Sequence, residues 1–169
     1  MTTTSKVFAC KGQRLLAVAG ISGFIVVALG AFAAHGLTKM LPEYLLAVFK
    51  TGVQYQAWHT FALLACGILL QITAQQQQMG SKQQQADSQN QQTDPKHQIN
   101  RYNEKARKGL AYAGGCFIIG ILCFSGSLYA LALTGIKWFG PITPLGGVFF
   151  MLGWIIFTLS VIRLNKVTS

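Results

Sequence analysis

At 169 residues the chain has room for a single domain, yet 51% of it is hydrophobic, only 11% is charged and its mean hydropathy is +0.40. The apolar residues fall in long blocks, which excludes an ordinary water-soluble globule and points to hydrocarbon as the solvent. A net charge of +10 raises nucleic acid as a partner; lysine and arginine alternate with the apolar blocks instead of forming one basic surface, so no nucleic acid is expected.

The first block, residues 15–34, carries no charge and as a helix is long enough to cross a hydrocarbon core of about 30 Å. Lys11 and Arg14 before it, and Ala31-Phe32-Ala33 near its end, have the outline of a cleavable leader. At about 20 residues the apolar run exceeds the ~7–15 of such leaders, so it is expected to be kept as a span. In residues 35–50, Pro42 precedes Leu45, Leu46, Val48 and Phe49, which predicts a short interfacial helix beginning near Pro42 and leading toward span two. Span two, residues 53–72, is the least uniform, with Gln54, Gln56, His59 and Thr60 in its first half. Residues 75–98 hold eleven glutamines, Asp87, Asp94 and Pro95, and predict a disordered Gln-rich linker. Spans three and four, residues 110–134 and 145–162, are separated by a stretch in which Gly140, Pro141 and Pro144 would break a helix.

Spanning segments are helices or strands of a closed barrel, because lipid offers no partner to an unpaired backbone group. The alternation of a barrel is absent, which leaves an all-α membrane protein, a four-transmembrane-helix bundle in one domain. Eleven of the fourteen lysines and arginines precede span one, follow span four or lie between spans two and three; Lys39, Lys50 and Lys137 are the exceptions. The positive-inside rule then predicts both termini and the linker in the cytoplasm. Tyr44, Trp58 and Trp138 fall near the expected membrane boundaries, where amphipathic rings are favoured.

In span three Cys116, Gly120, Cys123, Ser127, Ala130 and Thr134 recur at helical spacing, and in span one Gly20, Phe24, Ala28, Ala31 and His35 do. Such mostly small faces allow close helix packing, either within the bundle or against a second copy of the chain as a homo-oligomer. Polar side chains concentrate in the half of the spans away from the termini. His35, Tyr55, Gln56, His59 and Ser127 form a candidate cluster there, either a pocket for a small molecule, proton or ion or a set of interhelical hydrogen bonds.

A metal at His35 and His59 would have Glu43 as its nearest obvious carboxylate and no paired-ligand spacing, so neither metal nor cofactor is expected. Cys10, Cys66, Cys116 and Cys123 form no CxxC, and Cys116 and Cys123 lie about 10 Å apart along a helix, too far for a disulfide. Ser125-Gly126-Ser127 lacks the strand and acid of a nucleophile elbow, and without a carboxylate pair no enzyme is expected. The composition therefore predicts a structural or accessory protein whose partner is the lipid bilayer. The alternative is a carrier or channel component for a small solute, proton or ion, for which four spans without an inverted repeat are few.

Four stretches, VALGAFAAHGL at 27–37, TGVQYQAWHTFALL at 51–64, FSGSLYALAL at 124–133 and TPLGGVFFMLGW at 143–154, together resemble the domain-of-unknown-function 423 family. The resemblance implies a small multi-span protein of the bacterial inner membrane, and it brings no activity, substrate or cofactor. Its motif positions include His35, Gly52, Tyr55, Gln56, His59, Ser127, Tyr129 and Gly146, and so overlap the candidate cluster. Ala33 stands where the family usually has glycine, implying slightly looser helix contact, and the Gln-rich insertion lengthens the central loop.

Overall fold

A computed structural model describes residues 3–86 and 96–165 of the chain. Among them there is no strand, and the helices are α1 (Thr3–His35), α2 (Glu43–Ala86), α3 (Lys96–Gly120), α4 (Gly126–Thr134) and α5 (Ile142–Asn165). A π-helical segment, Ile121–Ser125, joins α3 to α4, so these form one span. Four stretches of helix are long and apolar enough to cross a membrane.

Local chemistry explains where the helices start and stop. Pro42 has no N–H to lose at a helix start, and its carbonyl accepts the Leu46 N–H at 3.0 Å. The helix expected to begin near Pro42 and lead into span two is continuous with it, forming the first turns of α2. Only one 3₁₀ turn, Leu37–Lys39, separates α1 from α2. At the far end of span three, Gly135 adopts φ +69° and its N–H reaches the Leu131 carbonyl at 2.9 Å, a left-handed cap that favours glycine.

The linker differs from expectation. Residues 75–86 continue α2 and residues 96–98 open α3, while residues 87–95 of the expected disordered segment lie outside the described residues. Gln, Ala, Met and Lys lose little rotamer freedom in a helix, so one nucleated within the bilayer propagates beyond it on propensity.

Consecutive spans are antiparallel neighbours: α1 packs on α2, α2 on α3 and α4, and α3 on α5. Helices in lipid gain little from hydrophobicity when they associate, so close van der Waals approach decides the register. Between α1 and α2 the backbones approach at Gly12 and Gly67, where a Cβ on either would meet the other's carbonyl oxygen at 3.2 and 3.3 Å. Between span three and α5, aromatic rings fill the glycine positions: Phe150 against Gly120 and Phe117 against Gly153. At Gly146 a Cβ would collide with the backbone of Phe124.

This packing leaves the small-residue face of span one outside the bundle of the single chain. Gly20, Phe24, Ala28, Ala31 and His35 are exposed, with Phe24 at 76%, whereas Phe8, Leu15, Ala19, Ser22, Ala33 and Leu37 are buried. The small residues of the outer face do not select it, because the opposite face carries both Gly12, which lets α2 approach, and Ser22, which needs a hydrogen-bond partner. The main apolar core joins Phe8 and Leu15 to Leu63, Leu70, Leu110, Phe117 and Phe150. A smaller cluster unites Ala33, Leu37, Phe49 and Ala132 toward the other end, with the Ala33 methyl buried in it.

Gly146→Leu is expected to destabilise the bundle by about 1–3 kcal/mol, because a backbone atom cannot move aside as a side chain can. Gly20→Leu, at a position with open space around it, is expected to stay within about 0.5 kcal/mol of the parent. Equilibrium unfolding in mixed detergent micelles checks both.

Candidate functional site

The antiparallel register brings Ser22 of α1, Gln56 and Thr60 of α2 and Tyr129 of α4 to one level of the bundle. The Tyr129 hydroxyl donates to Gln56 Oε1 at 2.8 Å, and Gln56 Nε2 donates to Ser22 Oγ at 3.2 Å and to the Ser22 carbonyl at 3.4 Å. Ser22 Oγ lies 2.7 Å from Thr60 Oγ1, and Thr60 donates to the Gln56 carbonyl at 2.7 Å. Because the Thr60 proton is committed to that carbonyl, Ser22 must donate to Thr60. The direction of every bond then follows: Tyr129 to Gln56, Gln56 to Ser22, Ser22 to Thr60, and Thr60 back to the backbone of Gln56. Three spans are tied by one residue, Gln56, which is itself buried.

His59 lies one helical turn along α2. Its Nδ1 is 2.7 Å from the Tyr55 carbonyl, which can only accept, and its Nε2 is 3.3 Å from the Trp154 indole nitrogen, which can only donate. Both contacts are satisfied by the neutral ring with its proton on Nδ1. The ring lies flat on Phe150, with centroids 3.4 Å apart and planes 7° from parallel. Tyr55 packs beside it against Phe124, with ring centroids 4.6 Å apart. Ser127 bonds to the Phe124 carbonyl at 2.9 Å and to Thr143 Oγ1 at 2.8 Å, which fastens α4 to the start of α5.

Gln56, His59, Tyr55 and Ser127 thus lie along one seam between α2, span three and α5. His35 does not join them: it is exposed at the last residue of α1, and among the described residues no hydrogen bond links it to the seam. Sequence reasoning missed Ser22, Thr143 and Trp154 as partners. The available signal was that Ser22 is a hydroxyl in the middle of an apolar span, where it requires an acceptor.

Two buried polar atoms lack partners among the described residues, Ser125 Oγ in the π-helical segment and Arg107 Nε. Arg107 is 1% exposed, near the middle of α3. Its Nη1 donates to the Thr73 carbonyl at 3.4 Å and to Gln77 Oε1, and its guanidinium lies 5.3 Å from the Phe8 ring centroid. The expected linker residue Gln77 thereby becomes a structural contact. A cleft of about 540 Å³ opens beside this point between α1 and α3, lined by Val7, Phe8, Lys11, Arg14, Leu15, Glu104, Lys108, Ala111 and Tyr112.

The family model described as "Protein of unknown function (DUF423)" matches residues 29–147, which contain most of the seam. A UPF0382 membrane protein of Haemophilus influenzae is 37% identical over 143 residues, covering 85% of this chain and 89% of the relative. The UPF0382 inner membrane protein YgdD of Escherichia coli K12 is 33% identical over 152 residues, covering 90% and 92% respectively. The UPF0382 membrane protein YwdK of Bacillus subtilis is 33% identical over 143 residues, covering 85% and 91%. No solved structure matches the chain. With four apolar helices, a family match across both central spans and relatives aligned over most of their length, the chain is a multi-pass membrane protein that belongs to the DUF423 family.

Proposed function

We propose that the chain is a structural or accessory component of the bacterial plasma membrane, without catalytic activity, whose intramembrane polar groups hold the helices together. The observation that carries this reading is the complete donor and acceptor assignment around Gln56 and His59. A translocation path needs groups that can exchange partners with water or solute, whereas the side-chain protons of Gln56, Ser22, Thr60, Tyr129 and His59 are each committed to another side chain or to the backbone. A second reading, a carrier or channel component for a small solute, proton or ion, draws on Ser125, whose buried hydroxyl has no partner among the described residues and sits in a π-helical turn; such turns recur at functional sites.

For orientation we propose cytoplasmic termini. Lys11 and Arg14 on α1, Lys105, Arg107 and Lys108 on α3 and Arg163 on α5 belong to one end of the antiparallel bundle. Lys39 and Lys137 belong to the two turns at the other, and the basic end is the one retained in the cytoplasm.

Tyr129→Phe and Ser22→Ala are each expected to destabilise the bundle by about 0.5–1.5 kcal/mol, the range for an interhelical hydrogen bond in a membrane. Combined, they are expected to cost less than the sum, since both act on the amide of Gln56. Unfolding in mixed micelles of the single and double variants measures this; strict additivity would separate the two bonds. Single cysteines in a background lacking the four native ones test the functional reading. In variants that keep their helical circular dichroism, a small impermeant thiol reagent applied to spheroplasts should label position 39, leave position 105 unlabelled, and fail to reach positions 56, 59 and 127. Labelling at 56, 59 or 127 would favour the carrier reading, and labelling at 105 but not 39 would invert the orientation.

A further inference from the structure

We propose that the cleft between α1 and α3 at the basic end of the bundle is a binding site for an anionic phospholipid, with the headgroup phosphate held by Lys11, Arg14 and Lys108. The inference goes beyond the functional reading above and is independent of it, and it holds for either orientation of the bundle. Its first support is charge. The cleft carries three cations and one carboxylate, and Glu104 is already paired with Lys108 at 2.8 Å, which leaves an excess of positive charge facing the opening. Arg107 adds a fixed positive charge behind the wall: it is buried, and it and Lys11 approach the same Phe8 ring, at 5.3 and 5.8 Å. Glu104 is the carboxylate that acts on Arg107 as well as on Lys108, so one negative charge faces four cations and the net field at the cleft stays positive.

The second support is shape and polarity. A volume of about 540 Å³ exceeds what a phosphate alone would fill, and the remaining wall is apolar, made by Val7, Phe8, Leu15, Ala111 and Tyr112. Val7 and Tyr112 are 47% and 70% exposed, so the cleft opens sideways to the lipid as well as toward the membrane surface. A soluble anion would match the cations and leave that apolar wall uncovered. A phospholipid matches both, with its phosphate at the level of Arg14 and the start of its acyl chains along Leu15 and Tyr112. Basic recesses between spanning helices at the membrane surface have this pairing of charge and grease.

Native mass spectrometry of the intact protein, released from detergent in the presence of equal phosphatidylglycerol and phosphatidylcholine, tests the site. The parent protein is expected to retain phosphatidylglycerol preferentially. Lys11→Gln with Arg14→Gln is expected to lower that preference by about fivefold for each cation removed. Lys39→Gln with Lys137→Gln, at the opposite end, is expected to leave it unchanged. Raising ammonium acetate should weaken the preference in the parent protein, which keeps the test decisive if the double variant does not fold. Equal retention of the two lipids, a preference that survives both the double substitution and added salt, or complete displacement of the lipid by excess glycerol phosphate would overturn the proposal, the last by identifying a soluble anion as the occupant.

Discussion

Every polar side chain that enters a bilayer must find its hydrogen-bond partner within the protein, because the hydrocarbon provides none. In this bundle that requirement is concentrated on the amide of Gln56. It has one acceptor and two donors, and it uses them on α4 and α1 while its own backbone carbonyl receives Thr60. Only one registry of α1, α2 and α4 brings those groups together. A slip of one residue would turn Gln56 toward lipid or apolar side chains and leave a buried amide unpaired. A modest favourable energy per bond thus coexists with a large penalty for the wrong arrangement, which is how a polar seam specifies packing more than it drives it.

Glycine and aromatic residues supply the complementary half of that specification. Gly12 and Gly67 let the backbones of α1 and α2 approach near one end, and about 15 Å further along the same interface the Ser22 and Gln56 side chains bond directly. On the other side, Phe117 and Phe150 fill the space opened by Gly153 and Gly120 in the facing helices and form the apolar floor on which His59 lies. The ring gains stacking contacts there, and its two nitrogens are met at the edges by Tyr55 and Trp154. A histidine inside a membrane is often a proton relay; here its surroundings fix one neutral tautomer.

Much of this was legible in the sequence, for definite reasons. Four uncharged stretches of spanning length and the distribution of lysine and arginine follow from the bilayer itself, and they leave little freedom in fold class. Tyr55, Gln56, His59 and Ser127 stood out because polar groups in hydrocarbon are conspicuous, and they fall on one seam. His35 was grouped with them by its place near a span end, yet the seam runs along the opposite side of α1. The outer face of α1 illustrates the same gap: small-residue spacing reveals that a helix can be approached closely but not from which side. Helical continuation through residues 75–86 was hidden because polarity shows that a segment is not buried, while helix propensity acts without burial. Arg107 looked like one basic residue among several, and only tertiary placement over Phe8 and against Gln77 distinguishes it.

The central claim is that the polar seam is dry and its hydrogen bonds persistent. Hydrogen–deuterium exchange of the Gln56 side-chain amide and the Trp154 indole N–H, followed by NMR with the protein in lipid nanodiscs, tests it most directly. Both protons are expected to exchange far more slowly than the exposed side-chain amide of Gln76, beyond the end of span two. Exchange of the Gln56 amide as fast as that of Gln76 would mean that water reaches the seam, and would contradict a dry seam.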